Sequence, residues 1–306
     1  MGDSREPADP NAGAAGGGPG FVALTRAEWS ASAPPEPSGH RPASSVGPVP
    51  ADEVDEVYRP LARLVADRAR RTDARRPYLV GITGSVAVGK SGVAAVVASL
   101  LGEVTGGRDV AVVTTDSFLH PNAVLAARGL LDRKGFPESY DDRLQRETLA
   151  AVRSGQDPVT VPVYSHEIYD ILPDDVQVID HPDLVVVEGL NVLRAGGGDA
   201  PPDTSIYVDA AEADLARWFA ERVHHLVEAA PRDGVGFYPM LATLAPDDLR
   251  QLIERTWTDV NLVNLHRHIS PARAEADLVL WKGGDHRVVE VLVSSTWLEG
   301  AGQAGT

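Results

Sequence analysis

Eight consecutive residues carry the most specific chemistry in this sequence. Gly84-Ser85-Val86-Ala87-Val88-Gly89-Lys90-Ser91 has the G-x-x-x-x-G-K-S spacing in which glycines let backbone N–H groups turn inward around phosphate oxygens. A helix starting at Lys90 adds partial positive charge at the same point, the lysine reaches the terminal phosphates, and the serine hydroxyl is a ligand suited to Mg²⁺. Apolar Tyr78 to Thr83 precedes this loop and Lys90 to Leu101 follows with a helical pattern. The strand–loop–helix context that the motif requires is therefore present, against the bland reading of a glycine-rich turn.

Two carboxylates stand at equivalent places. Asp116 follows the apolar run Val110 to Thr115, and Glu188 follows Leu184 to Val187. Residues at the carboxyl ends of core strands face the ligand crevice of an open α/β sheet. Asp116 reads as a general base toward an attacking hydroxyl, or else as a helix cap. Glu188 reads as a second acid near the metal, directly or through water, or else as a structural acid paired with an arginine. The stretch Pro162-Val163-Tyr164-Ser165-His166-Glu167-Ile168-Tyr169-Asp170 concentrates polar aromatic and ionisable side chains like a substrate rim. His224, His225, His266 and His268 lack a metal-binding spacing and read as structural or exposed. Lysine is rare: Lys90, Lys134 and Lys282 are the only three in the chain, where arginine otherwise supplies positive charge. Arginine and lysine are not chemically interchangeable, so a retained lysine is informative, although Lys282 is equally readable as a surface survivor.

The elements that must position these groups alternate. Strands are expected at Tyr78 to Thr83, Val110 to Thr115, Leu184 to Val187, Ser205 to Val208, Ala276 to Lys282 and Val288 to Val293. Helices are expected from Asp52 with a kink at Pro60, at Lys90 to Leu101, Glu147 to Arg153, Ala213 to Ala229 and Pro246 to Leu265. That alternation predicts an α/β fold, a mostly parallel central sheet with helices on both faces. Residues 1–50 hold 17 glycines and prolines and read as largely disordered, except that Phe21, Val22, Leu24 and Trp29 mark Gly20 to Ser30 as a segment able to dock. Residues 51–298 then form one domain, with a loop at Gly196 to Pro202 and a flexible tail at 299–306.

Composition removes several alternatives. The 306 residues allow a substantial core, and a net charge of −16 repels nucleic acid and anionic lipid alike. Zero cysteines exclude disulfide scaffolds, thiolate metal sites and cysteine nucleophiles. No apolar run approaches a membrane span and no signal peptide is evident, so the chain reads as cytoplasmic, with neither nucleic acid nor membrane as a partner.

Taken in order, the loop Gly84 to Ser91, Thr114-Thr115-Asp116 with Phe118 to Asn122, Arg133 to Asp141, Pro162 to Asp170, Val187 to Leu193 and Ser205 to Ala210 resemble the bacterial type I pantothenate kinases. The resemblance runs from about Asp52 to Val293. It implies a P-loop kinase fold, of the group that includes uridine kinases and phosphoribulokinases. It also implies ATP and Mg²⁺ as cofactors, transfer of the γ-phosphoryl group to a small-molecule hydroxyl acceptor, pantothenate, at the opening of coenzyme A synthesis, and a homodimer. By the same resemblance Lys90 and Ser91 match nucleotide and Mg²⁺ contacts, Asp116 the base, and Lys134 a lysine near the phosphates. Tyr164, His166, Tyr169, Arg222 and Asn261 match substrate-side positions. Two departures stand out. Gly92 and Ala95 replace the threonine and arginine usual after the loop serine, which puts feedback by coenzyme A in doubt. Trp218-Phe219-Ala220-Glu221-Arg222-Val223-His224-His225-Leu226 has lost aromatic residues of the pocket helix. The reaction class is thus firmer than the acceptor; a nucleoside or specialised-pathway intermediate and a catalytically silent nucleotide-binding regulator are the competing readings.

Overall fold

The computed structural model describes residues 20–33, 49–72, 76–193, 201–231 and 236–302. Along the chain run β1 (Phe21–Thr25), α1 (Arg26–Ser32), α2 (Ala51–Glu53), α3 (Arg59–Arg71), β2 (Tyr78–Gly84), α4 (Lys90–Val104), β3 (Val110–Thr114), α5 (Asn122–Ala127), α6 (Asp142–Arg153), β4 (Val159–Ser165), β5 (Asp170–Ile179), β6 (Leu184–Glu188), β7 (Thr204–Ala210), α7 (Glu212–Ala229), α8 (Phe237–Leu241), α9 (Pro246–Arg255), α10 (Leu262–Asn264), β8 (Leu278–Lys282), β9 (Val288–Ser294) and α11 (Ser295–Gly302). Seven strands form one sheet in the order β1-β9-β8-β7-β2-β6-β3. The five from β8 to β3 are mutually parallel, while β9 and β1 add antiparallel at one edge.

Alternation along the strands explains the two-sided core, because successive side chains leave a sheet on opposite faces. Val80, Ile82, Leu184 and Val186 enter a cluster with α3 and α4, while Leu79, Val113, Val185 and Val187 meet Val152 of α6 and Val159, Val161 and Ile179 of the β4–β5 hairpin. Central strands buried on both faces read as unbroken apolar runs, as Leu184 to Val187 does.

The N-terminal reading needs extension. The segment Gly20 to Ser30 docks: β1 pairs with β9, Thr25 and Glu28 make a reciprocal capping box, and Trp29 is buried with its indole N–H on the Val57 carbonyl at 3.0 Å. The folded body therefore begins before residue 51. Residues 1–19, 34–48, 194–200 and 303–306, which hold most of the expected disorder, loop and tail, lie outside the described residues, whereas 299–302 complete α11. Ahead of α3 the expected kink is a wide π turn at Val54–Tyr58, and Pro60 sits in the first turn of the next helix, where its missing N–H leaves nothing unpaired.

The single helix expected over Pro246 to Leu265 is a correction. It is interrupted by a π turn at Thr256–Asn261, where the Thr256 and Thr258 hydroxyls donate back to the Leu252 and Glu254 carbonyls at 2.8 and 2.9 Å. Such back-bonding bends helices. The β4–β5 hairpin, a separate two-stranded sheet, has no counterpart among the expected elements.

Candidate active site

Three core strands deliver the acidic and phosphate-binding groups to one edge of the sheet. In register, Ile82 of β2 and Thr114 of β3 both lie opposite Glu188 of β6. The loop that starts at Gly84 and the turn that carries Asp116 are each two residues further on, so they emerge on either side of Glu188. Asp116 sits in a 3₁₀ turn, Thr115–Phe118, and its N–H is capped by the Thr114 hydroxyl at 3.3 Å. Phe118 is fully buried, which anchors that turn.

Backbone geometry builds the cradle. Gly84 has φ +144°, and a Cβ there would lie 2.2 Å from the Val208 carbonyl oxygen of β7; only glycine lets the loop leave the sheet at this point. Gly89 has φ +89° at the start of α4. Between them Ala87 takes φ +64°, a conformation uncommon outside glycine and typical of loops whose amides must converge. Gly189, just past the acid, is equally obligatory, since its Cβ would fall 1.7 Å from the Thr115 hydroxyl oxygen.

The Ser91 hydroxyl donates to Glu188 Oε1 at 3.0 Å, which joins the serine at the start of α4 to the acid at the end of β6. A hydroxyl beside a carboxylate is a hard-oxygen pair, the donor type that suits Mg²⁺. Lys90 Nζ donates to the Ser85 carbonyl at 2.8 Å across the loop. Burial pushes the Lys90 ammonium down to about 8, opposed by the charges of Glu188 and Asp116 and reinforced by those of Arg222 and Lys282. An ammonium this short of compensating charge is suited to an incoming anion.

A second lysine approaches from the other side. Lys134 Nζ donates to Asn122 Oδ1 at 2.8 Å and to the Tyr169 carbonyl at 2.6 Å, and lies 4.1 Å from the Tyr169 ring centre and 4.9 Å from that of Tyr164. Burial pushes it, too, down to about 8, against the pull of Asp170 and Asp116. Tyr164 and Tyr169 lie on and just beyond β4, in the connection to β5. Tyr169 adopts φ +58° and stacks on Phe237 at 4.9 Å, with Tyr238 edge-on at 6.5 Å. Burial raises the Tyr164 and Tyr169 hydroxyls, the latter to about 12, and the charge of Asp116 acts on both in the same direction. These hydroxyls stay protonated and able to donate.

Lys90, Glu188, Asp116, Lys134, Tyr164 and Tyr169 thus form one neighbourhood. Arg222 is exposed on α7, yet its charge acts on Lys90, Tyr169 and Tyr238. His166 is exposed and packs edge-on to Tyr164 at 5.1 Å. Asn261 lies on the π turn; its buried Nδ2 has no hydrogen-bond partner among the described residues, and no described contact ties it to the tyrosine cluster. Phe237 and Tyr238, missed in the sequence, belong to the cluster but are reached only by tertiary packing. Lys282 is also resolved: it is 7% exposed and donates from beneath the loop to the Val88 carbonyl at 3.0 Å, so it is no surface survivor. Lysine scarcity was the available signal.

Residues 79–224 match the model of the phosphoribulokinase/uridine kinase family. The chain is 41% identical over 266 residues to a pantothenate kinase of Parvibaculum lavamentivorans, covering 79% of this chain and 82% of that one. It is 42% identical over 264 residues to a pantothenate kinase of Myxococcus xanthus, covering 78% and 83%. Among solved structures, the YGR205w protein shares the fold with a TM-score of 0.58 at 16% identity, over 79% of this chain and 98% of that one.

Proposed function

This chain belongs to the pantothenate kinase family, and from that premise we propose that it transfers the γ-phosphoryl group of ATP to the primary hydroxyl of pantothenate. The observation that carries the reading is the convergence of the loop lysine, Lys90, and the strand-end acid, Asp116, on one electrostatic neighbourhood with Glu188. In phosphoryl transfer the protein contributes mainly positioning and charge stabilisation, so cations about the phosphates and a carboxylate at the acceptor are the parts required.

Each residue has a task in this reading. The amides from Ser85 to Gly89 hold phosphate oxygens, and Lys90 and Lys134 meet their charge from two sides. Ser91 and Glu188 would hold Mg²⁺, which when bound supplies further charge neutralisation at the phosphate oxygens. Asp116 orients the acceptor hydroxyl and takes its proton. Tyr164, His166 and Tyr169 form the acceptor wall, Arg222 faces the acceptor's carboxylate, and the unpartnered Asn261 Nδ2 is a donor for its polar atoms. Burying a polar atom without a partner costs about 1–3 kcal/mol, which supports a ligand role for that amide. A single kinase domain, with 20–33 docked on it, a homodimer and a cytoplasmic setting belong to the same proposal; light scattering on the purified chain tests the dimer. Among the described residues no helix is long and apolar enough to cross a membrane.

The test of function is a panel of acceptors assayed with ATP and Mg²⁺. Pantothenate turnover far above that of nucleosides and other hydroxyl compounds is expected. The reduced aromatic content of Trp218 to Leu226 favours one second reading, the same chemistry on a different alcohol, and preferential turnover of another compound would establish it.

A further inference from the structure

Lys282 and the acid behind it are not absorbed by the roles above. The Val88 carbonyl, which accepts from Lys282 Nζ at 3.0 Å, belongs to the peptide that joins Val88 to Gly89. In a trans peptide the carbonyl and the following N–H point in opposite directions. A donor fixed on the Val88 oxygen therefore turns the Gly89 N–H away from Lys282 and holds that peptide in one orientation at the N-terminus of α4, the end of a helix that suits phosphate. Gly89 itself, at φ +89°, has no side chain to restrict that peptide.

A buried ammonium needs a countercharge. Glu53 reaches the strand pair that carries Lys282: its Oε1 accepts the N–H of Val288, the cross-strand partner of Lys282, at 3.2 Å. Among the described residues the charges coupled to Lys282 are those of Glu53 from α2, Lys90 from α4 and His286 from the turn after β8, Glu53 being the one carboxylate. Glu53 is only 2% exposed. The Tyr58 hydroxyl bonds to it, and Arg287 Nε lies 3.7 Å from its Oε2. The neighbouring Asp52 pairs with Arg287 and with Arg26 of the docked N-terminal segment. Burying a carboxylate this deeply is costly unless it answers a buried cation.

We propose that Glu53 is a positioning residue for nucleotide binding: its carboxylate keeps the Lys282 ammonium seated on the Val88 carbonyl and so fixes the Gly89 N–H toward the phosphates. The inference rests on the reading of Gly84 to Ser91 as the nucleotide site, but not on the identity of the acceptor.

The test is equilibrium binding of the nonhydrolysable analogue adenosine imidotriphosphate with Mg²⁺, between pH 7 and 10. Glu53→Gln keeps the shape and can still bond to Val288 and Tyr58, while it removes the charge. Removing a nearby negative charge makes an ammonium easier to deprotonate. The variant is expected to bind about tenfold more weakly than the wild type at the alkaline end, and the ratio of the two affinities, in which the titration of Lys90 and Lys134 cancels, should begin to fall roughly one pH unit below the deprotonation of Lys282 in the wild type. In a Lys282→Arg background, where the charge cannot be lost, Glu53→Gln should change affinity less than about twofold. Equal weakening in both backgrounds at every pH, or no weakening in either, overturns the proposal.

Should Glu53→Gln fail to fold, Glu53→Asp keeps the charge, and its alkaline loss of affinity should begin within about half a pH unit of the wild type; a shift as large as that expected of the glutamine variant overturns the proposal. With three lysines in the chain, NMR of lysine labelled at Cε also follows Lys282 directly in the wild type. Deprotonation of Lys282 with no loss of analogue affinity beyond that which accompanies Lys90 and Lys134, followed in the same spectra, overturns it as well. If the wild type does not bind the analogue at all, the nucleotide reading itself fails; if it binds and Glu53→Gln is indistinguishable from it, only this inference fails.

Discussion

Lys134 gives the sharpest pH-dependent consequence of the site. Its ammonium is held by Asn122 and the Tyr169 carbonyl and is pushed down to about 8 by burial. The ionised form is the useful one, so activity is retained below that value and lost as pH rises through it. A group titrating at 8 is about nine-tenths ionised at pH 7 and about one-tenth at pH 9, a tenfold fall. Lys90, at about 8 for the same reason, supplies a second factor of similar size. With both required, kcat/KM for ATP, which reports the free enzyme, should drop about a hundredfold from pH 7 to 9. Lys134→Arg replaces one titrating cation with one that stays charged, so its fall over the same range should be only about tenfold, from a lower starting rate. Lys134→Met, which removes a charge-assisted bond worth about 2 kcal/mol, should lose roughly 30-fold at pH 7. Initial rates from a coupled ADP assay, with a pH-jump control for stability, measure all three. Superimposable alkaline profiles for the wild type and Lys134→Arg would refute the assignment of that ionisation.

Asp116→Asn is expected to cut kcat by roughly 10² or more with analogue affinity unchanged, because a proton acceptor acts mainly in the transition state; steady-state rates alongside calorimetric binding decide it. Lys90→Ala should damage both analogue binding and turnover, as it removes the charge opposite the phosphates. Gly84→Ala should abolish measurable nucleotide binding, since its Cβ would stand 2.2 Å from the Val208 oxygen, and circular dichroism separates that from loss of fold. Trp29→Ala, which empties a fully buried site, should cost about 3–5 kcal/mol and lower Tm by roughly 6–10 °C; an unchanged Tm would show that the N-terminal segment contributes nothing to stability.

Local signals made the catalytic edge readable from sequence. Gly84 to Ser91, Asp116 and Glu188 each directly follow an apolar strand run, and the connection from strand to crevice is short enough that sequence order fixes place. The acceptor side is different. Tyr169 meets Phe237 and Tyr238 across a long separation in the chain, and no periodicity brings α8 over the β4–β5 connection. The hairpin itself was obscured because its outward positions, Val176 and Val178, are exposed yet apolar, which blurs the alternation that marks a half-buried strand. The break at Thr256–Asn261 is hidden because buried apolar residues keep a four-residue spacing on both sides of it, Leu249 and Ile253 before and Leu265 and Ile269 after. Lys282 was visible as a rare residue type, but its burial beneath the loop depends on where β8 ends relative to β2, two strands away in the sheet.

The central claim is that the phosphate cradle and the Asp116 carboxylate serve one reaction centre. A crystal structure with adenosine imidotriphosphate, Mg²⁺ and pantothenate tests it most directly. The terminal phosphate should rest on the Ser85 to Gly89 amides and Lys90, with pantothenate's primary hydroxyl hydrogen-bonded to Asp116 and in line with the phosphorus. A nucleotide bound elsewhere, or a hydroxyl beyond reach of Asp116, would contradict the account.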